Sequence, residues 1–130
     1  MHLYVYVCVC VYVCCAYYSD DPRQAESTVF DLMPGDTVVL ATDGLFDNLF
    51  PEEIVSLCYE AKAKSPPLPP TELAQLIAAS AMEVAVSKER DSPFAAGARN
   101  AGWPSNTYGG KMDDTTIAIA YVSENTKAKL

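Results

Sequence analysis

Acidic residues stand at two points of the sequence where an apolar run meets a turn. Asp43 closely follows the apolar residues 38–41, and Asp113 and Asp114 directly precede a second apolar run. If the two runs are neighbouring antiparallel strands, the end of one lies beside the start of the other, and these carboxylates converge at one edge of a sheet. Converging carboxylates suit hard cations such as Mg²⁺ or Mn²⁺. The same spacing fits a plainer role, in which Asp43 and Asp114 only complete turns.

Strands on either side of the acids must position them. Residues 37–42 are apolar enough for a strand that is buried on both faces, and residues 28–33 alternate between apolar and polar positions. The intervening residues 33–36 have turn chemistry, so we expect an antiparallel hairpin of the two strands. Residues 115–122 are again apolar on both faces and predict another central strand.

Two helices are predicted between the acidic sites. Pro51 begins the first helix, followed by favourable acids, and Thr71 caps the second after the proline-rich residues 65–70. The apolar stripe of the first helix is formed by Ile54, Leu57, Cys58 and Ala61. The buried face of the second helix is formed by Leu73, Leu76, Ile77, Ser80, Ala81 and Val84. Residues 91–111 lack a sustained period and predict a long loop with at most a short helical turn.

The composition excludes several classes of function. The 130 residues are enough for about one domain and carry 9 basic and 17 acidic residues, a formal net charge of −8. Lys and Arg form no cluster, so the sequence predicts no nucleic-acid partner. Four of the five cysteines lie in residues 1–18, and His2 is the one histidine, so neither a zinc site nor a disulfide framework is expected.

Residues 1–18 differ from the rest of the chain. They alternate Val with Tyr or Cys and contain no Lys, Arg, Asp or Glu, and they have no recognisable features of a transit segment. Because their codons can be written from alternating TA and TG dinucleotides, we interpret them as a translated repeat outside the domain. A membrane anchor and a genuine strand are the alternatives. From Ser19 the composition is ordinary, and residues 123–130 read as a polar tail.

Three ordered segments together resemble a known family. ATDGLFDNLF (41–50), DSPFAAGARNAG (91–102) and GGKMDDTTIAIAYV (109–122) are similar to the C-terminal portion of the metal-dependent protein phosphatases, the type 2C or PPM family. The SPFA element followed by GGKxDD is similar to the organellar branch of that family. The resemblance covers residues 28–122, within a predicted domain portion of residues 19–122.

The resemblance implies roles for particular residues. Asp43 and Asp113 match the two aspartates that bind one of the two catalytic metals, Mg²⁺ or Mn²⁺. Gly44 and Asp114 are further, secondary candidates for the metal site. Asp114 replaces the usual asparagine and adds a charge beside the site, and Gly44 would let the backbone approach closely. Asp47 is interpreted as a turn or helix-start acid, with direct metal ligation as the alternative. Lys111 is interpreted as a solvated lysine, with contact to a substrate phosphate as the alternative.

The resemblance also implies a fold and an activity. The fold is α+β, a four-layer α/β/β/α sandwich with antiparallel sheets, of which this chain is the C-terminal part. The activity is hydrolysis of phosphoserine or phosphothreonine in proteins by a metal-activated water, so no side chain is assigned as catalytic. The chain has no match to the family's phosphate-binding Arg or its DGHGG-type segment, so it is predicted to be inactive alone. A non-catalytic regulatory or interaction fragment is the alternative, and a mitochondrion or plastid is the expected location.

Overall fold

A computed structural model describes residues 3–7 and 29–124, the first range by its backbone alone. The elements of these residues follow one another in the order β1 (Leu3–Val7), β2 (Thr37–Ala41), α1 (Asp43–Phe46), α2 (Pro51–Ala63), α3 (Pro70–Val86), α4 (Pro93–Asn100) and β3 (Ile117–Tyr121). Within residues 1–18, the segment interpreted as a translated repeat, only β1 is described. The strand alternative is therefore seen at Leu3–Val7, and the rest of that segment lies outside the described residues.

The three strands form one sheet with β2 in the middle. β1 runs parallel to β2, and β3 runs antiparallel to it, with Val39 opposite Ile119 and Ala41 opposite Ile117. The antiparallel pairing of the two apolar runs, on which the convergence of the acids depended, is confirmed. The prediction that residues 115–122 form a central strand is wrong for this sheet, because β3 lies at its edge.

The predicted hairpin strand at residues 28–33 is wrong over the described residues 29–33. These residues form no strand, and Val29 is 92% exposed. Both edges of β2 are paired, one with β1 and one with β3, so β2 has no edge left for another partner. The turn that precedes β2 is nevertheless formed, since the Asp36 amide donates to the Met33 carbonyl at 3.0 Å.

The core lies between one face of the sheet and the helices. Val39 and Ala41 of β2 are buried, and Ile117, Ile119 and Tyr121 of β3 pack against the same cluster. The helices add the buried side chains Leu45, Leu49, Ile54, Cys58, Ala61, Leu73, Ile77, Ala81 and Val84. Because successive strand residues point to opposite faces, the alternate positions of β2 and β3 lie on the other face, where Leu40 is exposed.

The two long helices follow their predicted faces closely. α2 begins at Pro51, and Ile54, Cys58 and Ala61 are buried as predicted, with Leu57 partly buried. The buried face of α3 is narrower than predicted, because Leu76 is exposed and Ser80 is only half-buried. The predicted N-cap at Thr71 is wrong by two residues, because Pro69 occupies that position.

α3 begins at Pro70 instead. Proline suits the first helical position, since its φ is already helical and its missing N–H would have no partner there.

The helix α4 is longer than the short turn predicted within residues 91–111. It has eight residues, and the Ser92 hydroxyl caps it by accepting a hydrogen bond from the Ala95 amide at 3.0 Å. Pro93 occupies the first turn, where proline is tolerated. Because α4 buries only Ala95, its sequence has no long apolar period. A helix without such a period is not predicted by hydrophobic periodicity.

The described elements make a mixed α and β arrangement, in agreement with the α+β prediction. The four-layer sandwich remains a prediction, since the described strands form one sheet. In residues 3–7 and 29–124, no helix combines the length and apolarity that crossing a bilayer requires.

Candidate metal centre

The register of β2 and β3 brings the two acidic sites to one edge of the sheet. Beyond the last paired residues, the Thr42 amide donates to the Thr116 carbonyl at 3.1 Å, so the ladder continues to the point where α1 begins. The Thr42 hydroxyl extends the link, because it donates to the Asp114 carbonyl at 3.0 Å and accepts from the Thr116 amide at 3.1 Å. Asp43, the first residue of α1, therefore lies beside the segment that carries Asp113.

Three carboxylates form a cluster at this edge. One oxygen from each of Asp43, Asp47 and Asp113 lies within 4.8 Å of the others, and these three residues are called the carboxylate cluster below. Asp43 is 61% exposed, so the cluster opens to solvent. The structure thus brings together the two metal ligands implied by the family resemblance, Asp43 and Asp113.

Asp47 also belongs to the cluster. It follows α1 at the C-cap position, and its amide donates to the Asp43 carbonyl at 2.7 Å. Residues four apart on a helical turn lie on the same face, so the spacing of Asp43 and Asp47 is the sequence signal for this contact. Asp47 therefore lies where its alternative role requires, and direct metal ligation by Asp47 stays a prediction.

Asp114 and Gly44 lie beside the carboxylate cluster but are not part of it. The Asp114 side chain is not a member of the cluster, and its backbone carbonyl accepts the hydrogen bond from Thr42. Gly44 is buried, and a Cβ placed there would lie 2.6 Å from the same Asp114 carbonyl. Gly44 therefore permits the close backbone approach of α1 to the Asp114 segment, and neither residue supplies a side-chain oxygen to the cluster.

The Lys111 ammonium lies among the three carboxylates. Its Nζ is 2.8 Å from Asp113 Oδ2, 3.0 Å from Asp47 Oδ2 and 3.8 Å from Asp43 Oδ2. The hydrogen bonds to Asp113 and then Asp47 raise the pKa of Lys111, and the hydrogen bond from Lys111 lowers the pKa of Asp113. The interpretation of Lys111 as a solvated lysine is therefore wrong, because it is ion-paired with the cluster.

A buried amide holds the backbone of Lys111 against α1. Asn48 is 1% exposed, and its Nδ2 donates to the carbonyls of Gly44 at 2.8 Å and Lys111 at 2.9 Å. Its Oδ1 accepts from the Lys111 amide at 2.9 Å. Asn48 thus links two segments that lie 63 residues apart in the chain and that carry Asp43 and Asp113.

Ser92 and two glycines complete this contact. The buried Ser92 hydroxyl donates to the Gly109 carbonyl at 2.6 Å. A Cβ on Gly110 would collide with Asn48 Oδ1 and would lie 2.8 Å from the Ala85 Cα of α3. We call Asn48, Ser92, Gly109 and Gly110 the clamp, because they fix the chain that leads to Lys111 and Asp113.

A backbone hydrogen bond connects α4 directly to the carboxylate cluster. The Phe94 amide, in the first turn of α4, donates to the Asp47 carbonyl at 2.9 Å. At the other end of this helix, Arg99 donates to the Thr107 carbonyl at 2.6 Å and forms a two-fold ion pair with Asp91 at 2.9 Å. The predicted loop is therefore an ordered segment packed beside the candidate site.

The donor set fits a hard divalent cation. Mg²⁺ and Mn²⁺ prefer carboxylate oxygens, and the cluster offers one oxygen from each of three aspartates at close range. A cationic group already lies among these oxygens, the Lys111 ammonium, which shows that the carboxylates converge on a position suited to positive charge.

Comparisons with known proteins give related sequences. The chain is 39% identical over 107 residues to the probable protein phosphatase 2C 80 of Arabidopsis thaliana, covering 82% of the chain and 25% of that relative. It is 44% identical to the probable protein phosphatase 2C 62 of the same plant, covering 77% of the chain and 13% of the relative. It is 38% identical to the protein phosphatase PTC7 homolog fig of Drosophila simulans, covering 82% of the chain and 33% of the relative. No family profile matches the chain.

A solved structure agrees with the sequence relatives. The chain superposes on the X-ray structure of the photosystem II phosphatase PBCP with a TM-score of 0.61 and 36% identity, covering 72% of the chain and 38% of that protein. The chain therefore spans between 13% and 38% of the length of the relatives named here.

Proposed function

Since the chain belongs to the protein phosphatase 2C family, we propose that it supplies part of the active site of a metal-dependent protein serine/threonine phosphatase. The observation that carries the proposal is the carboxylate cluster of Asp43, Asp47 and Asp113. It lies in the segments ATDGLFDN and GGKMDD, which are among those that carry the family resemblance. The substrate would be a protein that carries phosphoserine or phosphothreonine.

In this proposal the cluster holds one divalent cation, Mg²⁺ or Mn²⁺. Asp43 and Asp113 are its two assigned ligands, and Asp47 supplies the third nearby carboxylate. When bound, such a cation lowers the pKa of a coordinated water and neutralises charge on phosphoryl oxygens. Because Asp43 is 61% exposed, a phosphorylated side chain on another protein can approach the cluster from solvent.

The surrounding residues would hold the ligands in place. The Thr42 hydroxyl links the start of α1 to Asp114 and Thr116. This link fixes the distance between Asp43 and the segment that carries Asp113. Asn48 fixes the other side of the same contact through its hydrogen bonds to Gly44 and Lys111. Preorganised ligands avoid a rearrangement when charge develops during phosphoryl transfer.

The isolated chain is proposed to have little or no activity. It spans 25% of the Arabidopsis thaliana relative that is 39% identical to it, and its sequence has no match to the family's phosphate-binding Arg or DGHGG-type segment. One metal site without a phosphate-binding arginine neutralises charge on the substrate but does little to position it. The alternative is a non-catalytic regulatory or interaction fragment that keeps α4 and its adjoining loop.

An organellar location is proposed on the same basis. The family branch suggested by SPFA and GGKxDD predicts a mitochondrion or plastid. Its support is the similarity to a photosystem II phosphatase and to a PTC7 homolog. Fractionation of the source cells, with an antibody against residues 91–111 and mitochondrial and plastid markers, tests this location, and recovery of the native protein in the cytosolic fraction contradicts it.

Complementation tests the proposed activity. The chain is mixed with the remaining part of the 39% identical Arabidopsis thaliana relative, and release of phosphate from a phosphothreonine peptide is measured with Mn²⁺. We expect background rates from either part alone, hydrolysis from the mixture, and background again when the chain carries Asp43→Asn. Asp114→Asn is the matched control, because Asp114 is not in the carboxylate cluster.

Two outcomes contradict parts of the proposal. Hydrolysis that survives Asp43→Asn contradicts the metal role of the carboxylate cluster. Background rates from a mixture that does form a complex, as measured by size-exclusion chromatography, favour the non-catalytic alternative.

A further inference from the structure

The Lys111 side chain is aimed at the carboxylate cluster by a fixed backbone. Asn48 holds both the amide and the carbonyl of Lys111 at 2.9 Å, and Gly110 packs against Ala85 of α3 just before it. The ammonium therefore starts from a rigid point and reaches Asp113 and Asp47 at 2.8 Å and 3.0 Å. Solvent-exposed ion pairs usually form between two mobile side chains, whereas here the backbone of Lys111 is held by two partly buried hydrogen bonds from the buried Asn48 side chain.

The Lys111 ammonium and a divalent cation would use the same oxygens. Nζ lies within 4.0 Å of all three carboxylates, and those oxygens lie within 4.8 Å of one another. Two positive groups that share this space repel each other over a few ångströms, where unscreened charges interact most strongly. The Lys111 ammonium can move from the carboxylates into solvent, because its side chain is 37% exposed and its four-carbon stem is flexible.

We propose that Lys111 is a tethered cation that competes with the divalent metal for the carboxylate cluster and thereby sets the metal affinity of the site. The inference rests on the proposed metal centre. Without metal, the ammonium offsets the repulsion among Asp43, Asp47 and Asp113. Metal binding then requires the ammonium to leave these oxygens for solvent, so the chain binds the metal less tightly than its three carboxylates alone would.

Removal of the charge tests the competition. Lys111→Met keeps an unbranched side chain of nearly the same length without the charge, and Mn²⁺ binding to the full chain is measured by isothermal titration calorimetry. We expect the affinity for Mn²⁺ to rise about tenfold, because the variant no longer has a cation to displace. Lys111→Arg keeps a positive charge that can also pair with the carboxylates, so it should show no such rise in affinity.

Lys64→Met is the matched control for loss of a lysine. Lys64 directly follows α2, two residues after Lys62, whose ammonium donates to the Gly35 carbonyl at the opposite end of β2 from Asp43. Its replacement should leave Mn²⁺ affinity unchanged. Equal affinities of the parent chain and Lys111→Met would overturn the competition while leaving the metal centre intact. Failure of every variant to bind Mn²⁺ would overturn both the competition and the proposed metal centre.

A second measurement follows the ammonium itself. Reductive methylation modifies exposed lysines, and peptide mass spectrometry reports the rate at each position. We expect saturating Mn²⁺ to speed modification of Lys111 several-fold, since its amine leaves the carboxylates, and to leave the rate at Lys64 unchanged. A rate at Lys111 that falls or stays constant when Mn²⁺ binds contradicts the displacement.

Discussion

The carboxylate cluster and the clamp lie side by side but meet opposite physical demands. The cluster places the like charges of Asp43, Asp47 and Asp113 together at an exposed edge, where water and Lys111 offset their repulsion. The clamp is buried or half-buried, and the side chains of Asn48 and Ser92 are hydrogen-bonded on both their donor and acceptor sides.

The contrast separates residues that bind from residues that position. A buried polar group without a partner costs about 1–3 kcal/mol, so substitutions in the clamp should lower the free energy of unfolding. Exposed acids contribute little to folding, and their substitution should change metal affinity alone. Four predictions test this separation, from the largest expected effect on unfolding to the smallest.

Gly110→Ala should have the largest effect on stability. The added Cβ would collide with Asn48 Oδ1 and lie 2.8 Å from the Ala85 Cα, and the backbone of α3 cannot yield easily. We expect the free energy of unfolding to fall by about 3 kcal/mol or more, measured by urea denaturation.

Gly97→Ala is the matched control. Gly97 lies within α4, where an added Cβ meets no atom within 4 Å, and alanine favours a helix by about 1 kcal/mol. The control should therefore be neutral or stabilising. Equal losses from both substitutions would show that the contact of Gly110 with Asn48 has no special importance.

Asn48→Ala should have the next largest effect. It removes three hydrogen bonds and leaves the Lys111 amide and two carbonyls without these partners, so we expect a loss of about 2–3 kcal/mol. Mn²⁺ affinity should fall as well, because the segments of Asp43 and Asp113 are no longer linked by this side chain. Asn106→Ala, at an exposed loop position, is the control and should change neither quantity.

Ser92→Ala should have a smaller effect on stability. The variant loses the cap of α4 and the hydrogen bond to the Gly109 carbonyl, for an expected loss of about 1–2 kcal/mol. Thermal unfolding followed by circular dichroism measures the change. Ser105→Ala, at an exposed position, should unfold at the same temperature as the parent chain. A Ser92→Ala variant as stable as that control contradicts the role of the cap.

Asp43→Asn should leave the unfolding transition unchanged and weaken Mn²⁺ binding at least tenfold. It removes one of three negative ligands from an exposed position, which reduces attraction for the cation without disturbing the core. Asp114→Asn, measured by the same calorimetry, should stay within about twofold of the parent. A larger loss of affinity in Asp114→Asn than in Asp43→Asn would reverse the assignment of ligands.

The sheet shows where pattern analysis succeeds and fails. Residues 37–42 and 115–122 were identified as strands because their apolar runs have the length and composition of strands. Local patterns do not predict which segments pair with β2. Residues 29–33 have the alternation of a strand and yet form none. Pairing depends on which segments compete for the two edges of β2, and that competition is settled by contacts distant in sequence.

Periodicity and end signals act over a few residues, so local sequence is sufficient to predict the main helices, the two apolar strands and the two acids beside them. Tertiary packing is needed to place Asp47 beside Asp43 and Asp113, to set Lys111 among them, and to link the two segments through Asn48. Lys111 and Asn48 meet across 63 residues of chain. Such contacts are set by the packing of whole elements, whereas local composition reports only what each segment can form by itself.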